Sequence, residues 1–450
     1  MNQEFMKTKR VFPLVLSMAL PMMLSMLINS LYNIIDSMFV ARIGEDALTA
    51  VSLVYPLQML VTSVGVGFGV GINAAVAFFL GAGEKEKAGK AACQGLLLSF
   101  FHGAGLSVIL TAVLPAFLKL FEAQGKIYDW GLEYGVLVLV FSVVATVHIA
   151  FEKIYQAVGN MMVPTLCLAA GCIANILLDP VFIFGLGPVP RMEVTGAAVA
   201  TVIGQFVTLI LYLLWFWKKG LGLTVKVRWM RPHREIFQKL YQVGIPSAFT
   251  MGLPSVLVTI LNGIAGAFAP VYVLILGVYF KLQSFIYLPA SGIVQGMRPV
   301  LSYNYGAGER QRMKKILAVC TAMILVIMTA GMLLFFLAPA LIMKLFTQDG
   351  ITIREGAMAL QIISFGFVVS GISVTASGAL EALGEGLASF FVSLLRYLVT
   401  IVPAAWIGSR IWGVSGIWAA FPISEFLTAA AAAVIFSVYL RKCLKNRDQK

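Results

Sequence analysis

The chain has 450 residues, of which 60% are hydrophobic and only 12% are charged. Soluble domains carry about 25% charged residues, so this composition excludes an ordinary soluble protein. The formal net charge of +13 would suggest a nucleic-acid partner in a soluble chain. Here the positive charges collect in alternate loops between apolar segments, and we expect no nucleic-acid partner.

Apolar runs long enough to cross a bilayer recur from one end of the chain to the other. Breaking these runs at Gly, Pro and charge clusters predicts an all-α polytopic membrane protein with twelve transmembrane helices. The predicted spans are 12–41, 47–80, 91–118, 134–158, 163–185, 194–217, 240–268, 271–304, 315–345, 355–381, 387–409 and 414–440.

The Lys and Arg residues of the loops are unevenly distributed. If the N-terminus is cytoplasmic, the cytoplasmic segments hold 23 of them and the external loops hold seven. Because cytoplasmic loops carry an excess of Lys and Arg, this asymmetry predicts that both termini are cytoplasmic. It also accounts for the net positive charge through topology alone.

An internal repeat relates the two halves of the chain at a constant offset of 225 residues. Each half contains six predicted spans, so both halves start in the cytoplasm and have parallel topology. Such lobes are related by a pseudo-two-fold axis along the membrane normal, as in several transporter folds. The matching positions include Pro21 and Pro246, Gly67 and Gly292, Gly71 and Gly296, and the GAGE segments at 81–84 and 306–309.

The repeat and the charged connection between its halves predict the domain organisation. We expect an N-terminal six-helix lobe at 1–217 and a C-terminal six-helix lobe at 240–440. A basic cytoplasmic linker at 218–239 separates them, and a basic cytoplasmic tail follows at 441–450.

Two of the six aspartates lie inside apolar spans. Asp36 precedes Arg42 by six residues, and Asp179 precedes Gly185 by six residues. Both helices are predicted to run from the inside to the outside, so each acid lies about 9 Å below the outer end of its helix. We therefore expect Asp36 and Asp179 at the same depth.

Polar side chains share a helix face with each acid. Asn33 precedes Asp36 by three residues, with Tyr32 beside it, and Asn175 precedes Asp179 by four. An ionisable group in hydrocarbon costs at least about 2.5 kcal/mol and usually marks an ion or substrate path. The alternative is that neighbouring amides cap the acids and the polar contacts hold helices together.

The chemistry of these groups fits a coupling cation. Two carboxylates in a poorly hydrated pocket do not both ionise readily, which suits a proton carrier. Oxygen ligands from Asp36, Asn175 and Asp179 would equally hold Na⁺, a hard cation. Pro180 removes a backbone donor and frees the carbonyl of Ile176 as a further oxygen. H⁺ and Na⁺ both remain open, and no other cofactor is expected.

The segments ALPMMLSMLINSLYNIIDSMFVARIG, FFLGAGEKEKA, AVGNMMVPT and NILLDPVFIFG, together with GIPSAF and LSYNYGAGERQRMKK in the second half, occur in a characteristic order. In these segments the chain resembles the multidrug and toxic compound extrusion (MATE) family, over essentially its whole length. The resemblance implies a two-lobe multidrug efflux antiporter, not an enzyme. Such a protein exports drugs and organic cations in exchange for inward H⁺ or Na⁺.

The resemblance also implies roles for individual residues. The NorM-like branch carries acids in helices 7 and 10, whereas this chain has none there before Glu381, so it is more similar to the DinF-like branch with its coupling site in the N-terminal lobe. Thr201 occupies the position of a family threonine beside the acids. Pro21 matches a family proline linked to bending, and we expect Pro21 and Pro180 to act as hinges. The implied location is the plasma (inner) membrane of a prokaryote, and we expect a monomer.

Other charges also lie within the predicted spans. Glu152, near the cytoplasmic face, is expected either to form an ion pair or to help recruit cationic drugs. Lys281, Arg298, Arg396 and Glu425 stand in C-terminal spans, where we expect them to balance one another.

Two other functions are compatible with parts of the sequence. A lipid-linked oligosaccharide flippase would use a strongly cationic cavity, and this chain has few cations in its spans. A polytopic membrane enzyme would need a catalytic constellation, and the two acids have no His or metal partner in the sequence pattern. The expected partners are therefore small-molecule drugs, organic cations and membrane lipids.

Overall fold

A computed structural model describes residues 3–445, except for the side chains at 227 and 442–445. Within these residues the chain is helical and forms no strands, which confirms the predicted all-α fold. Residues 446–450 of the predicted basic tail lie outside the described part of the chain.

Twelve apolar spans follow one another, eleven of them as continuous candidate spans and one as a bent pair of helices. This count over the described residues confirms the predicted number. In chain order they are α1 Val11–Ala41, α2 Glu45–Gly81, α3 Lys85–Leu120, α4 Gly125–Val140 with Ser142–Ala157, α5 Met162–Phe184, α6 Glu193–Lys219, α7 Arg234–Gly266, α8 Pro270–Ala307, α9 Arg310–Leu337, α10 Gly350–Ala382, α11 Gly386–Trp412 and α12 Val414–Lys445.

The fourth span bends by 45° between its two helices. At the bend, the hydroxyl of Ser107 in α3 donates to the carbonyl of Val140 at 2.7 Å, and the hydroxyl of Ser142 donates to Leu139 at 2.7 Å. Side-chain donors that insert into a helical hydrogen-bond ladder are a known cause of kinks. The break therefore arises from a serine of a neighbouring helix.

Two spans contain the prolines that are predicted to act as hinges, and two others depart from a plain helix. Pro21 and Pro180, the predicted hinges, both lie within uninterrupted helices. The predicted ninth span to residue 345 ends earlier, at Leu337, because a separate short helix begins at Pro339. In α11 a π-helical turn at Leu395–Val399 interrupts the α-helical ladder.

The chain forms two compact units that do not coincide with a simple cut between its halves. The N-unit contains residues 3–4 and 24–248. The C-unit contains Phe5–Met23 and the described chain from residue 249 to residue 445. Consequently α1 changes unit after Met23, and α7 changes unit after Ala248. These two positions are 225 residues apart, the offset of the sequence repeat.

Glycines of the repeat explain why these helix beginnings pack where they do. In the N-unit, a Cβ atom added to Gly67 of α2 would lie 2.3 Å from the backbone nitrogen of Ala248 in α7. In the C-unit, a Cβ atom on Gly292 of α8 would lie 2.8 Å from the backbone nitrogen of Met23 in α1. Both close approaches are open only to glycine.

Replacing Gly67 by valine is expected to destabilise the protein, because overpacking against backbone typically costs about 1–3 kcal/mol. Gly105 of α3 is the matched control, since a Cβ atom there would meet nothing within 4 Å. Thermal unfolding of the detergent-solubilised variants measures the difference. Equal shifts for Gly67→Val and Gly105→Val would contradict this account of the α2–α7 contact.

Candidate functional site

The centre of the candidate site is a set of buried polar side chains on α5 and α6. Asp179 is 0% exposed, and Asn175, one turn earlier on α5, is 2% exposed. The amide of Asn175 lies 3.4 Å from Oδ1 of Asp179 and 3.4 Å from the hydroxyl of Thr201 on α6. The structure thus brings together three of the predicted site residues.

Small residues allow α5 and α6 to approach this closely. A Cβ atom on Gly204 of α6 would lie 2.9 Å from the carbonyl oxygen of Gly171 and 3.1 Å from Cβ of Asn175. Backbones approach most closely where helices present glycine, as in membrane helix pairs generally. Gly171 and Gly204 therefore fix the distance at which Asn175 meets Thr201.

Asp36 of α1 completes the centre. Its carboxyl group lies beside that of Asp179, close enough for the two groups to share a hydrogen bond. Residues one turn further along each helix, Val40 and Ile183, are fully buried in one apolar cluster that also contains Leu57. This cluster anchors both helices next to the two carboxyl groups.

Three oxygen atoms of this centre have no hydrogen-bond partner among the described residues. They are Oδ1 of Asp36, Oδ2 of Asp179 and Oδ1 of Asn175, and each is buried. A buried polar atom without a partner carries a free-energy cost, so native proteins usually satisfy it. Here all three atoms are acceptors, so a proton shared between the acids, a bound cation or another hydrogen-bond donor would satisfy them.

Two tyrosines border the acids, and one of them was missed by the sequence interpretation. Tyr32, a predicted site residue, lies next to Asp36 and Thr201. Tyr134 of α4 is 3% exposed, lies close to the same two residues, and accepts a hydrogen bond from the amide of Gln58 at 3.3 Å. Gln58 recurs as Gln283 at the repeat offset of 225 residues, but nothing in the sequence marks Tyr134.

Asn33 occupies a different position from the other predicted residues. Its side chain is exposed and donates to the backbone carbonyl of Asn29 in its own helix at 2.7 Å. This hydrogen bond directs the side-chain amide of Asn33 along α1. The side chain makes none of the contacts described above for the centre of the site.

Glu152 of α4 forms an ion pair. Its Oε1 accepts from Nζ of Lys153 at 2.7 Å and from the side-chain amide of Gln156 at 2.7 Å. Lys153 is 4% exposed, and its stem packs where a Cβ atom on Gly69 would stand. Glu152 was predicted either to form an ion pair or to help recruit cationic drugs, and the structure shows the ion pair.

The C-unit charges pair within their own unit. Arg298 of α8 contacts Glu381 of α10 at 2.5 Å, and Arg396 in the π-helical turn of α11 contacts Glu425 of α12 at 2.7 Å. The guanidinium of Arg396 also donates to the hydroxyl of Tyr287 at 2.9 Å. Lys281 takes part in neither pair.

Nothing among the described residues forms a cluster of three or more His, Cys, Asp or Glu side chains that could hold a metal ion. The donor set around Asp36, Asp179 and Asn175 consists of two carboxylates and an amide. Oxygen ligands of this kind suit a hard monovalent ion or a proton rather than a transition metal.

The sequence is similar to proteins that are named as multidrug exporters. It is 25% identical over 443 residues to the multidrug export protein MepA of Staphylococcus saprophyticus, covering 97% of this chain and 95% of the relative. The multidrug export protein MepA of Staphylococcus aureus strain NCTC 8325 is 26% identical over 438 residues, covering 96% of this chain and 94% of the relative.

The fold is that of solved transporters. An outward-facing multidrug resistance MATE family transporter of the MOP superfamily superposes with a TM-score of 0.92 at 24% identity, covering 99% of both chains. The MatE family profile matches residues 21–181 and 246–407, which lie on either side of the linker. The two matches agree with the predicted two-lobe repeat, and the chain belongs to the MatE family of transporters rather than to a class of enzymes.

Proposed function

We propose that the protein is a secondary active multidrug exporter that exchanges drugs and organic cations for inward H⁺ or Na⁺. The observation that carries this proposal is the set of three buried acceptor oxygens on Asp36, Asp179 and Asn175 without a donor among the described residues. The names of the MepA relatives support multidrug export as the activity.

The coupling step follows from the chemistry of the paired acids. Two neighbouring carboxylates repel each other when both are ionised, and burial adds a desolvation cost. A proton shared between Asp36 and Asp179, or a Na⁺ ligated by them and Asn175, relieves both costs. The centre therefore binds a coupling cation that later leaves when the surroundings change.

The transport cycle needs a conformational step that depends on this cation. In our proposal, Asp36 and Asp179 load from the outside, and α1 rearranges near Pro21. Drug leaves outward, the protein becomes inward-facing, and the cation is released inside. Pro21 is suited to this step because proline leaves one helical hydrogen bond unmade.

The same proposal includes the setting of the protein. We infer a monomer in the plasma membrane of a prokaryote. Both termini are assigned to the cytoplasm because the segments on that side then hold 23 of the loop Lys and Arg residues. The relatives named above are bacterial, which supports this location.

Purified protein in liposomes tests the exchange directly. Uptake of norfloxacin or ethidium is measured with a pH gradient and with a Na⁺ gradient imposed separately across the membrane. We expect drug movement against its own gradient with at least one of the two, and dissipation of that gradient should stop it. Failure of both gradients to drive either drug would refute antiport.

A further inference from the structure

Lys281 is an ionisable residue in the apolar part of α8. It follows the first residue of the helix, Pro270, by eleven positions, which places it about 16 Å along the axis from the outer end. The four-carbon stem of lysine is too short to return its ammonium group over that distance to the helix end. The side chain is exposed nonetheless.

The exposed position follows from the way α8 packs in its unit. On the opposite face, the ring of Tyr279 contacts Phe367 and Phe421, and the hydroxyl of Tyr287 hydrogen-bonds to Ser370 at 2.6 Å. Lys281 points away from these contacts.

The neighbours of Lys281 on its own face are small or polar. Gly277, one turn before it, and Ser284, almost one turn after it, are also exposed, and a Cβ atom on Gly277 would meet nothing within 4 Å. The face therefore offers open space beside a positive charge.

The charge on Lys281 lacks the partner that the other cations in the spans possess. Lys153, Arg298 and Arg396 each contact a glutamate within 2.7 Å. For Lys281, the described residues contain no carboxylate within ion-pair distance. An ionisable residue within a membrane span usually faces the bundle interior or a water-filled cavity and marks an ion or substrate path, so we expect the counter-charge of Lys281 to come from outside the protein.

We propose that Lys281 binds the carboxylate of a zwitterionic amphipathic substrate. The inference rests on the proposed export function and narrows its substrate class: the transporter takes drugs that carry both a cationic amine and an anionic group. An ammonium–carboxylate hydrogen bond is charge-assisted and therefore among the stronger polar contacts. The same positive charge weakens the binding of a purely cationic drug relative to that of a zwitterionic one.

A matched pair of ligands tests this assignment on the purified full-length protein. Norfloxacin is zwitterionic, whereas its ethyl ester lacks the carboxylate and keeps the amine. Affinities for both are measured by fluorescence titration in phosphatidylcholine nanodiscs. We expect Lys281→Met to weaken norfloxacin binding about tenfold or more, and to leave the ester unchanged or bound more tightly.

Two further variants separate charge from structure. Lys281→Arg is expected to retain norfloxacin affinity within a few fold, because it preserves the positive charge. Lys344→Met, at an exposed lysine after α9, is the control for loss of a positive charge elsewhere. An equal loss for norfloxacin and its ester in Lys281→Met, or no loss for either, would overturn the proposal.

A lipid headgroup could supply an anion to the same lysine, and a second arm distinguishes the two sources. The titrations are repeated in nanodiscs containing phosphatidylglycerol. If Lys281→Met changes only the effect of phosphatidylglycerol and not norfloxacin affinity in phosphatidylcholine, the carboxylate assignment is wrong. Because these are binding measurements, a failure of gradient-driven transport would refute antiport without deciding the role of Lys281.

Discussion

Asp179→Asn is expected to abolish gradient-driven drug export while the protein still folds and inserts. The substitution preserves the size of a side chain that is 0% exposed, so packing in α5 should persist. It removes the charge with which the site would hold a proton or Na⁺. Loss of a group that carries a proton typically reduces a rate by about 100-fold or more, and we expect at least that effect on export.

The measurement is counter-gradient norfloxacin transport in liposomes, normalised to the amount of reconstituted protein. Asp129→Asn is the matched control, since Asp129 is an exposed aspartate of α4 away from the centre. Asp36→Asn should reproduce the loss, because the two carboxyl groups are neighbours. Normal transport by Asp179→Asn would remove the basis for a coupling site in the N-unit.

Glu425→Gln is expected to destabilise the protein strongly. Glu425 is the carboxylate partner of Arg396, at 2.7 Å, and the side chains are only 13% and 10% exposed. Removing one member of a buried ion pair leaves an uncompensated charge, which costs about 3–5 kcal/mol. The hydroxyl of Tyr287, which also contacts Arg396, cannot replace the lost negative charge.

Thermal unfolding in detergent measures this cost, and a double variant separates charge imbalance from lost packing. In Arg396→Met with Glu425→Met, both charges are gone, so the unfolding temperature should be higher than in Glu425→Gln alone. Glu45→Gln, at an exposed position at the start of α2, should change little. A double variant less stable than Glu425→Gln would show that the pair does not act mainly through charge balance.

Much of the fold could be predicted because membrane spans are encoded locally. The apolar runs gave twelve spans, and the structure contains them. The bend in α4 could not be predicted, since the hydroxyl that reaches Val140 comes from Ser107 on another helix. The packing of Phe5–Met23 in the C-unit likewise depends on Gly292, far away in the chain.

The residues of the candidate site could be predicted where their side chains are chemically unusual for a membrane helix. A carboxylate in an apolar helix stands out, so Asp36 and Asp179 were found from the sequence. A tyrosine in a membrane helix does not stand out, and Tyr134 was missed because only three-dimensional proximity relates it to the acids. Asn33 shares a face with Asp36 in sequence, but its side chain bonds to the backbone of its own helix. Spacing alone does not reveal such a competing local hydrogen bond.

The first part of α1 belongs to the C-unit and the first part of α7 belongs to the N-unit, and this arrangement has a consequence for biosynthesis. Ala248 meets Gly67, which the ribosome has already made, so the N-unit gains its final helix segment as soon as α7 begins. For Met23 the order of synthesis is reversed, because Gly292, the residue that it contacts, is synthesised about 270 residues later. At ~5–20 residues per second, the start of α1 waits roughly 13–50 s for its partner. The N-unit should therefore fold first, and the earliest-made transmembrane segment should be among the last to find its native neighbours.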